Sequence, residues 1–397
     1  MTLRCAAFTR AVVLSALVAG SATAQGTTGP WPVGTPAKVG LNAAVFDSLD
    51  AEIRAGTYGY IDRMVVIRHG QLVVDRRYAH DYDTIYGDSA RTRGSLNAHD
   101  LTGPFNYYAT WWHPTYRRGE LHTLQSVTKT VASAVIGTAI TRGDFPSIDT
   151  PILRYFDTTK VANMDARKRR ITVKHLLTMT GGFDWNENLP YVDPKNSASL
   201  LEASPDWVQF TIDQPMAREP GTQFNYSSGE SALLAHVFRQ ATGRDLEEYA
   251  AQHLFAPLGI TQWHWKRTPS GSLDTEGGLY LDARDLARIW QLWLQDGRWA
   301  GQQVIAPAWI TQSVTPLVAT GSSPAAPKYG LKWWLYPDPL TPGHFVWSGS
   351  GFGGQFPMAF PDLDLVVVFN AWNILPGQKG MPMGAVRQRI ARAVIGK

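Results

Sequence analysis

The spacing of apolar positions changes along the chain, and each change predicts an element. Leu41 to Ala55 has helical spacing. Two β-rich runs, Arg63 to Arg68 and Gln71 to Arg76, flank His69-Gly70 and predict a hairpin. Residues 79–121 are polar, aromatic and irregular, with Tyr107, Tyr108, Trp111, Trp112 and Tyr116 close together. A structureless segment that long is usually functional or mobile. From Val127 to Ile140 apolar residues fall at Val127, Val131, Val135, Ile136, Ala139 and Ile140, a helix that Gly143 to Pro146 ends. Residues 150–260 alternate short helical patterns with Gly/Pro loops, and Asp282 starts another helix to Gln295. Strand patterns return at Gly330 to Tyr336, His344 to Trp347 and Leu363 to Ala371, before a last helix from Ala385 to Ile395. Strands at both ends with helices between them predict an α/β (α+β) fold. An antiparallel sheet domain, 41–144 with 281–397, is flanked by helices, and a mostly helical domain, 145–280, is inserted. The cleft where they join is the default place for a site.

The first 24 residues follow a different rule. Arg4 and Arg10 precede a short apolar stretch, Ala11 to Gly20, and Ala22-Thr23-Ala24 is a small-residue cleavage site. This reads as a secretory signal peptide, with export to the periplasm or the medium, and 25–40 reads as a linker. Cleavage removes Cys5, the sole cysteine, so disulfides, thiol catalysis and zinc–thiolate sites are excluded. No later stretch reaches the ~18 apolar residues of a membrane span. The net charge is +4 over 397 residues, and the one basic run is Arg167 to Arg170, too little for a nucleic-acid binder.

The ten histidines lack the spacing of a metal site. Gly349-Ser350-Gly351-Phe352-Gly353-Gly354 matches G-x-G-x-x-G, but no helix follows to hold a pyrophosphate, so no cofactor is expected. No serine has G-x-S-x-G around it. Ser126-Val127-Thr128-Lys129 is the only S-x-x-K. It opens the strongest helix, with Lys129 on the same helical face as Ser126. A hydroxyl there meets the positive end of the helix dipole. The lysine amine beside it accepts the serine proton if burial or positive neighbours lower its pKa. On this motif alone, an N-capping serine with a surface lysine stays open. Tyr226, in the Gly/Pro-flanked stretch Glu219 to Gly229, is either a packing residue or a phenol that relays protons.

Four motifs then occur in order: Ser126 to Lys129, Ile171 to Gly182, Pro220 to Ser228, and Gly349 to Gln355. Together they resemble the serine β-lactamase/penicillin-binding-protein superfamily, in its class C-like branch. That branch includes carboxylesterases, D-aminopeptidases and 6-aminohexanoate-dimer hydrolase. Asp184-Trp185-Asn186-Glu187 with Tyr191 to Pro194 is most similar to the last of these. The resemblance implies Ser126 as acyl-accepting nucleophile, Lys129 as its base and Tyr226 as second proton carrier. It implies an oxyanion hole from the backbone N–H groups of Ser126 and Phe352. Substrate contacts fall to Ser228, Gly349, Ser350, Gly351, Asp184 and Trp185. Two positions depart from the family pattern: Ser228 replaces an asparagine, and the third motif, Gly349-Ser350-Gly351, has lost its basic residue. The expected partner is a small ester or amide, chosen by an aromatic 105–116 cover. The rival readings are a β-lactamase or D-alanyl peptidase, and a non-catalytic binding protein on the same scaffold. Arg117 or Arg118 stands in reserve as a substitute cation for anionic substrates.

Overall fold

The computed structural model describes residues 29–395 apart from positions 95, 98, 99 and 376. The expected signal peptide lies outside the described residues. The hairpin forms from β1 (Ile61–Arg68) and β2 (Gln71–Arg77), with Ile67 opposite Leu72 and Arg68 opposite Gln71. His69 and Gly70 both take left-handed angles, φ 49° and 67°, which suit the twist of a two-residue hairpin turn. The C-terminal half adds β3 (Val318–Ala319), β4 (Lys328–Tyr329), β5 (Trp334–Pro337), β6 (Phe345–Ser348), β7 (Phe356–Phe360) and β8 (Leu365–Ala371). These eight strands form one sheet in the order β2-β1-β8-β7-β6-β5-β4-β3, every pair antiparallel. The two ends of the chain meet at its middle, where Val65 faces Val368 and Val66 faces Val367. The pattern did not single out β7. Its presence puts a strand after the glycine-rich motif, where a dinucleotide fold needs a helix.

The helices that matter below are α1 (Ala43–Arg54), α2 (Tyr82–Arg91), α3 (Val127–Arg142), α4 (Ser197–Ala203), α5 (Ser228–Thr242), α6 (Ala283–Leu294) and α7 (Met383–Ala391). They cover both faces of the sheet. Met64, Val66, Val367 and Phe369 pack with Phe46, Leu49 and Ile53 of α1 and Val386 and Ile390 of α7. Val65, Ile67, Val366 and Val368 point the other way, into the core shared with Val131 and Val135 of α3 and Leu286 and Ile289 of α6. Alternate side chains thus enter two different cores. That is why β1 and β8 read as unbroken apolar runs.

Two expectations need correction. Residues 25–40 are not simply a linker: Trp31 is buried, and Val33 bridges Leu72 beside β2. The 79–121 segment is not structureless. It contains α2, and Tyr86, Leu96, Tyr107 and Tyr108 form a core with Trp372 and Ile374. In α3 every residue from Val127 to Ala139 is buried. Its polar side chains are satisfied inside: Thr130 Oγ1 donates to Lys332 O at 2.8 Å and Ser133 Oγ to Leu331 O at 2.8 Å. The apolar stripe of α3 marks one of its buried faces, and hydroxyls serve the other.

Candidate active site

The start of α3 sets the nucleophile position. Gln125 takes φ 47°, a strained angle for a residue with a side chain, and its amide donates to Thr123 Oγ1 at 2.8 Å. The chain then turns directly into helix at Ser126, φ −59° and ψ −12°. Ser126 makes no side-chain capping bond. Its hydroxyl instead takes Lys129 Nζ at 3.0 Å. Lys129 is 1% exposed, so the surface-lysine alternative is eliminated. Its Nζ also donates to Glu276 O at 2.7 Å and to Glu276 Oε2 at 3.2 Å, and lies 5.3 Å from the centre of the Tyr226 ring.

Tyr226 is brought to the same point from the loop before α5. Its phenol lies near the Ser126 hydroxyl, which favours the phenolate form. Asn225 anchors the loop through its N–H to Met179 O at 2.8 Å and its Nδ2 to Trp185 O at 2.9 Å. The tyrosine ring stacks on Trp334, centroids 6.0 Å apart. Ser228, at the first turn of α5, is buried and held by Glu187, through its N–H and its hydroxyl, both at 2.8 Å. It also meets Glu276. Ser126, Tyr191, Glu202, Ser228, Glu276 and Phe352 all line one cavity of about 450 Å³.

The other expected contacts divide. Phe352 lines the cavity with Ser126, and neither backbone N–H donates to a backbone carbonyl among the described residues. Gly349, Ser350 and Gly351 do not line it. Gly351 has a packing reason: a Cβ there would sit 2.5 Å from Leu124 O, so the glycine lets the 349–355 loop close onto the turn that carries Ser126. Gly349 is likewise enclosed by Pro357, Val127 and Trp290. Asp184 is exposed and outside the cavity. Trp185 is buried behind it and donates Nε1 to Glu187 Oε2 at 2.9 Å, so it positions the carboxylate that holds Ser228. Arg117 and Arg118 do not line the cavity either, and Arg118 is paired with Asp83. Of the aromatic cover, Phe105 and Tyr107 reach the cavity; Trp111 and Trp112 do not.

Sequence reasoning missed the acidic residues. Glu276 precedes Gly277-Gly278, and that small-residue turn was its only local signal. The Asp274 carboxylate accepts the Glu276 N–H at 3.1 Å and the Gly277 N–H at 2.9 Å, which shapes the turn. The electrostatics also differ from expectation. Burial pulls the Lys129 pKa down, but Tyr226, Glu276 and Glu187 outweigh it, and Lys129 is held above the ordinary lysine value. Burial pushes Glu276 up, yet Lys129, Lys266 and the Ser228 hydroxyl together more than offset this and hold it below the ordinary range. Burial raises Tyr226 above the usual phenol despite the opposing pull of Lys129. Burial likewise raises Glu187. The resting site is therefore an ammonium–carboxylate pair beside a neutral phenol.

The profile of the Beta-lactamase family matches residues 49–391. The chain belongs to that family. It is thereby a serine hydrolase of the β-lactamase-related kind. It is 26% identical over 290 residues to the 6-aminohexanoate-dimer hydrolase of Paenarthrobacter ureafaciens, covering 67% of this chain and 69% of that one. It is 27% identical over 194 residues to the monacolin J acid methylbutanoyltransferase of Aspergillus terreus, covering 43% of this chain and 47% of the relative. The crystal structure of a family VIII carboxylesterase shares the fold, with TM-score 0.61 at 17% identity over 91% of this chain and 99% of that one.

Proposed function

We propose that the protein is an exported serine hydrolase that cleaves an ester or an amide through an acyl-enzyme on Ser126. The observation that carries this reading is the 3.0 Å contact between Lys129 Nζ and Ser126 Oγ at the wall of an open cavity. Since Lys129 rests as an ammonium, it acts as a relay rather than as a free base. Ser126 passes its proton to Nζ as Oγ bonds to the carbonyl carbon, while Nζ passes a proton to Glu276 Oε2. Tyr226, a phenol beside Ser126, protonates the leaving group as its bond to carbon breaks. The proton on Glu276 returns through Lys129 to the Tyr226 phenolate, which restores the centre. The N–H groups of Ser126 and Phe352 face the developing oxyanion, a role worth about 3–4 kcal/mol per donor. Water then attacks the acyl-enzyme by the reverse path.

The cavity favours acyl groups without negative charge. No lysine, arginine or histidine lines it among the described residues, whereas Glu202, Glu276 and Asp193 do. A carboxylate entering there loses water without gaining a charge-assisted hydrogen bond. This weighs against the β-lactamase and D-alanyl peptidase readings, whose substrates carry a carboxylate. Comparing kcat/KM for p-nitrophenyl butyrate and nitrocefin tests the reading. The ester should be the better substrate, and nitrocefin turnover at or above the ester's rate would overturn it. Export rests on residues 1–24, and N-terminal sequencing of the exported protein should begin at Gln25.

A further inference from the structure

We propose that Lys332 is a positioning residue for Tyr226, holding the phenol in place beside Ser126 through the sulfur of Met179. The proposal rests on the serine-hydrolase reading of Ser126 and adds a residue to its proton path. Lys332 is buried and does not line the cavity beside Ser126. Its Nζ donates to Met179 Sδ at 3.1 Å and to Ser231 Oγ at 3.0 Å. Met179 in turn brackets the tyrosine. Its carbonyl accepts the Asn225 N–H at 2.8 Å, and its sulfur accepts the Ser227 N–H at 3.5 Å. The residues on either side of Tyr226 thus hang on one methionine. In the other direction, Thr130 Oγ1 donates to Lys332 O at 2.8 Å, and Thr130 follows Lys129 on α3. Trp334, two residues after Lys332, stacks on the Tyr226 ring. Lys332 connects the helix turn that carries Lys129 to the loop that carries Tyr226.

The backbone and the amine both point to a positioning role. Lys332 and Met179 take left-handed angles, φ 66° and 58°. A residue with a side chain is strained there, and such strain persists only where the surroundings fix it. Burying an amine costs free energy that an apolar side chain of the same length would not. A thioether is a weak acceptor, so packing alone does not call for an amine against it. Burial lowers Lys332 to about 7, with Lys129 adding to this and Glu230 and Glu187 opposing it. The neutral amine keeps two N–H bonds, enough for both acceptors, so the tie does not need the charged form. What the tie serves is protonation of the leaving group. The Tyr226 proton passes to the leaving oxygen as its bond to the carbonyl carbon breaks. Ethoxide is a strong base and needs that proton; p-nitrophenolate is a weak base and departs without it.

The test compares kcat/KM for ethyl butyrate and p-nitrophenyl butyrate, which share an acyl group, in the wild type, Lys332→Met and Met179→Leu. Lys332→Met keeps the stem and removes the amine. Met179→Leu keeps the backbone bond to Asn225 and removes the sulfur, and it carries the test if Lys332→Met does not fold. Each variant should lower kcat/KM for the ethyl ester by about tenfold or more, part of the worth of a positioned acid, and for the nitrophenyl ester by less than about twofold. General loosening of the fold would depress both esters alike. Equal losses on the two esters in a folded variant, or no loss on the ethyl ester, overturn the role of Lys332 and leave the hydrolase reading standing. A wild type that cleaves the nitrophenyl ester alone overturns it too, because no phenol then protonates a basic leaving group. A wild type that cleaves neither ester and takes up no fluorophosphonate overturns the hydrolase reading itself.

Discussion

Lys129 is held as an ammonium by its neighbours, and this constrains how Ser126 loses its proton. A lysine left neutral by burial alone would need no carboxylate beside it. Here Glu276 lies 3.2 Å from Nζ, and both groups keep their charges. Lys129→Ala and Tyr226→Phe should each lower kcat by about 10²–10⁴-fold, the usual worth of a positioned acid or base. The double variant should lose less than the product of the two, because both serve one proton path. Full multiplication of the losses in steady-state kinetics would contradict the shared path. Glu276→Gln separates the relay from a simple lysine base. With the carboxylate gone, Lys129 loses one of the groups, beside Tyr226 and Glu187, that raise its pKa. Activity near pH 7 should fall, then recover partly as alkaline pH deprotonates Lys129. In the wild type the acid limb should lie below the ordinary glutamate range, because Glu276 stays ionised there and is lost only as pH falls through its depressed pKa. A pH–kcat profile of the variant parallel to that of the wild type would argue against the relay.

At the scale of elements, the site depends on two close approaches of backbone. The loop after β6 presses against the turn before α3, and Gly351 is what permits it. Gly351→Ala would place Cβ 2.5 Å from Leu124 O and 2.8 Å from Gln355 Cβ, so the loop must shift. We expect a loss of about 1–3 kcal/mol in urea-monitored stability. It should be accompanied by a fall in kcat, because Phe352 moves with the loop. A stable variant with full activity would show that Phe352 contributes no oxyanion donor. The same elements show how far the sequence could be read. β1, β2, α3, α6 and β8 were legible because local periodicity and turn chemistry set them: His69-Gly70 for the hairpin, Asp282 as cap of α6, with Oδ1 accepting the Arg284 N–H at 2.8 Å. β7 was not, since Phe356-Pro357-Met358-Ala359-Phe360 has neither clean alternation nor a turn signal ahead of it except glycines. Ser126, Lys129 and Tyr226 were visible as a motif and as a resemblance. Glu187, Glu202 and Glu276 were invisible as a group because they come from three separate segments that meet only in the folded chain. The sign of the Lys129 shift depends on two of them, so it was not readable either.

Across the whole molecule, a second buried pair lies behind the site. Lys332 Nζ donates to Ser231 Oγ at 3.0 Å, and its N–H and carbonyl tie to Leu177 O at 2.9 Å and Thr130 Oγ1 at 2.8 Å, so it links α3 to α5. Burial lowers Lys332 to about 7, and burial raises Glu230 to about 8. The signs are opposite. Glu230 keeps a proton that the unfolded chain loses, so its contribution falls as pH rises from the ordinary glutamate range to about 8. Lys332 lacks a proton that the unfolded chain binds, so its contribution grows with pH from about 7 to the ordinary lysine range. Lys332→Met should abolish that alkaline gain, up to about 1.4 kcal/mol per pH unit in urea titrations. Wild-type and variant stabilities that run parallel from pH 8 to about 10, the ordinary lysine region, would contradict it. The central claim, that Ser126 is the nucleophile of this hydrolase, is reached most directly by intact mass after a fluorophosphonate probe. The wild type should gain the mass of one phosphonyl group, and folded Ser126→Ala should gain none; an unlabelled wild type, or a labelled Ser126→Ala, would contradict the account.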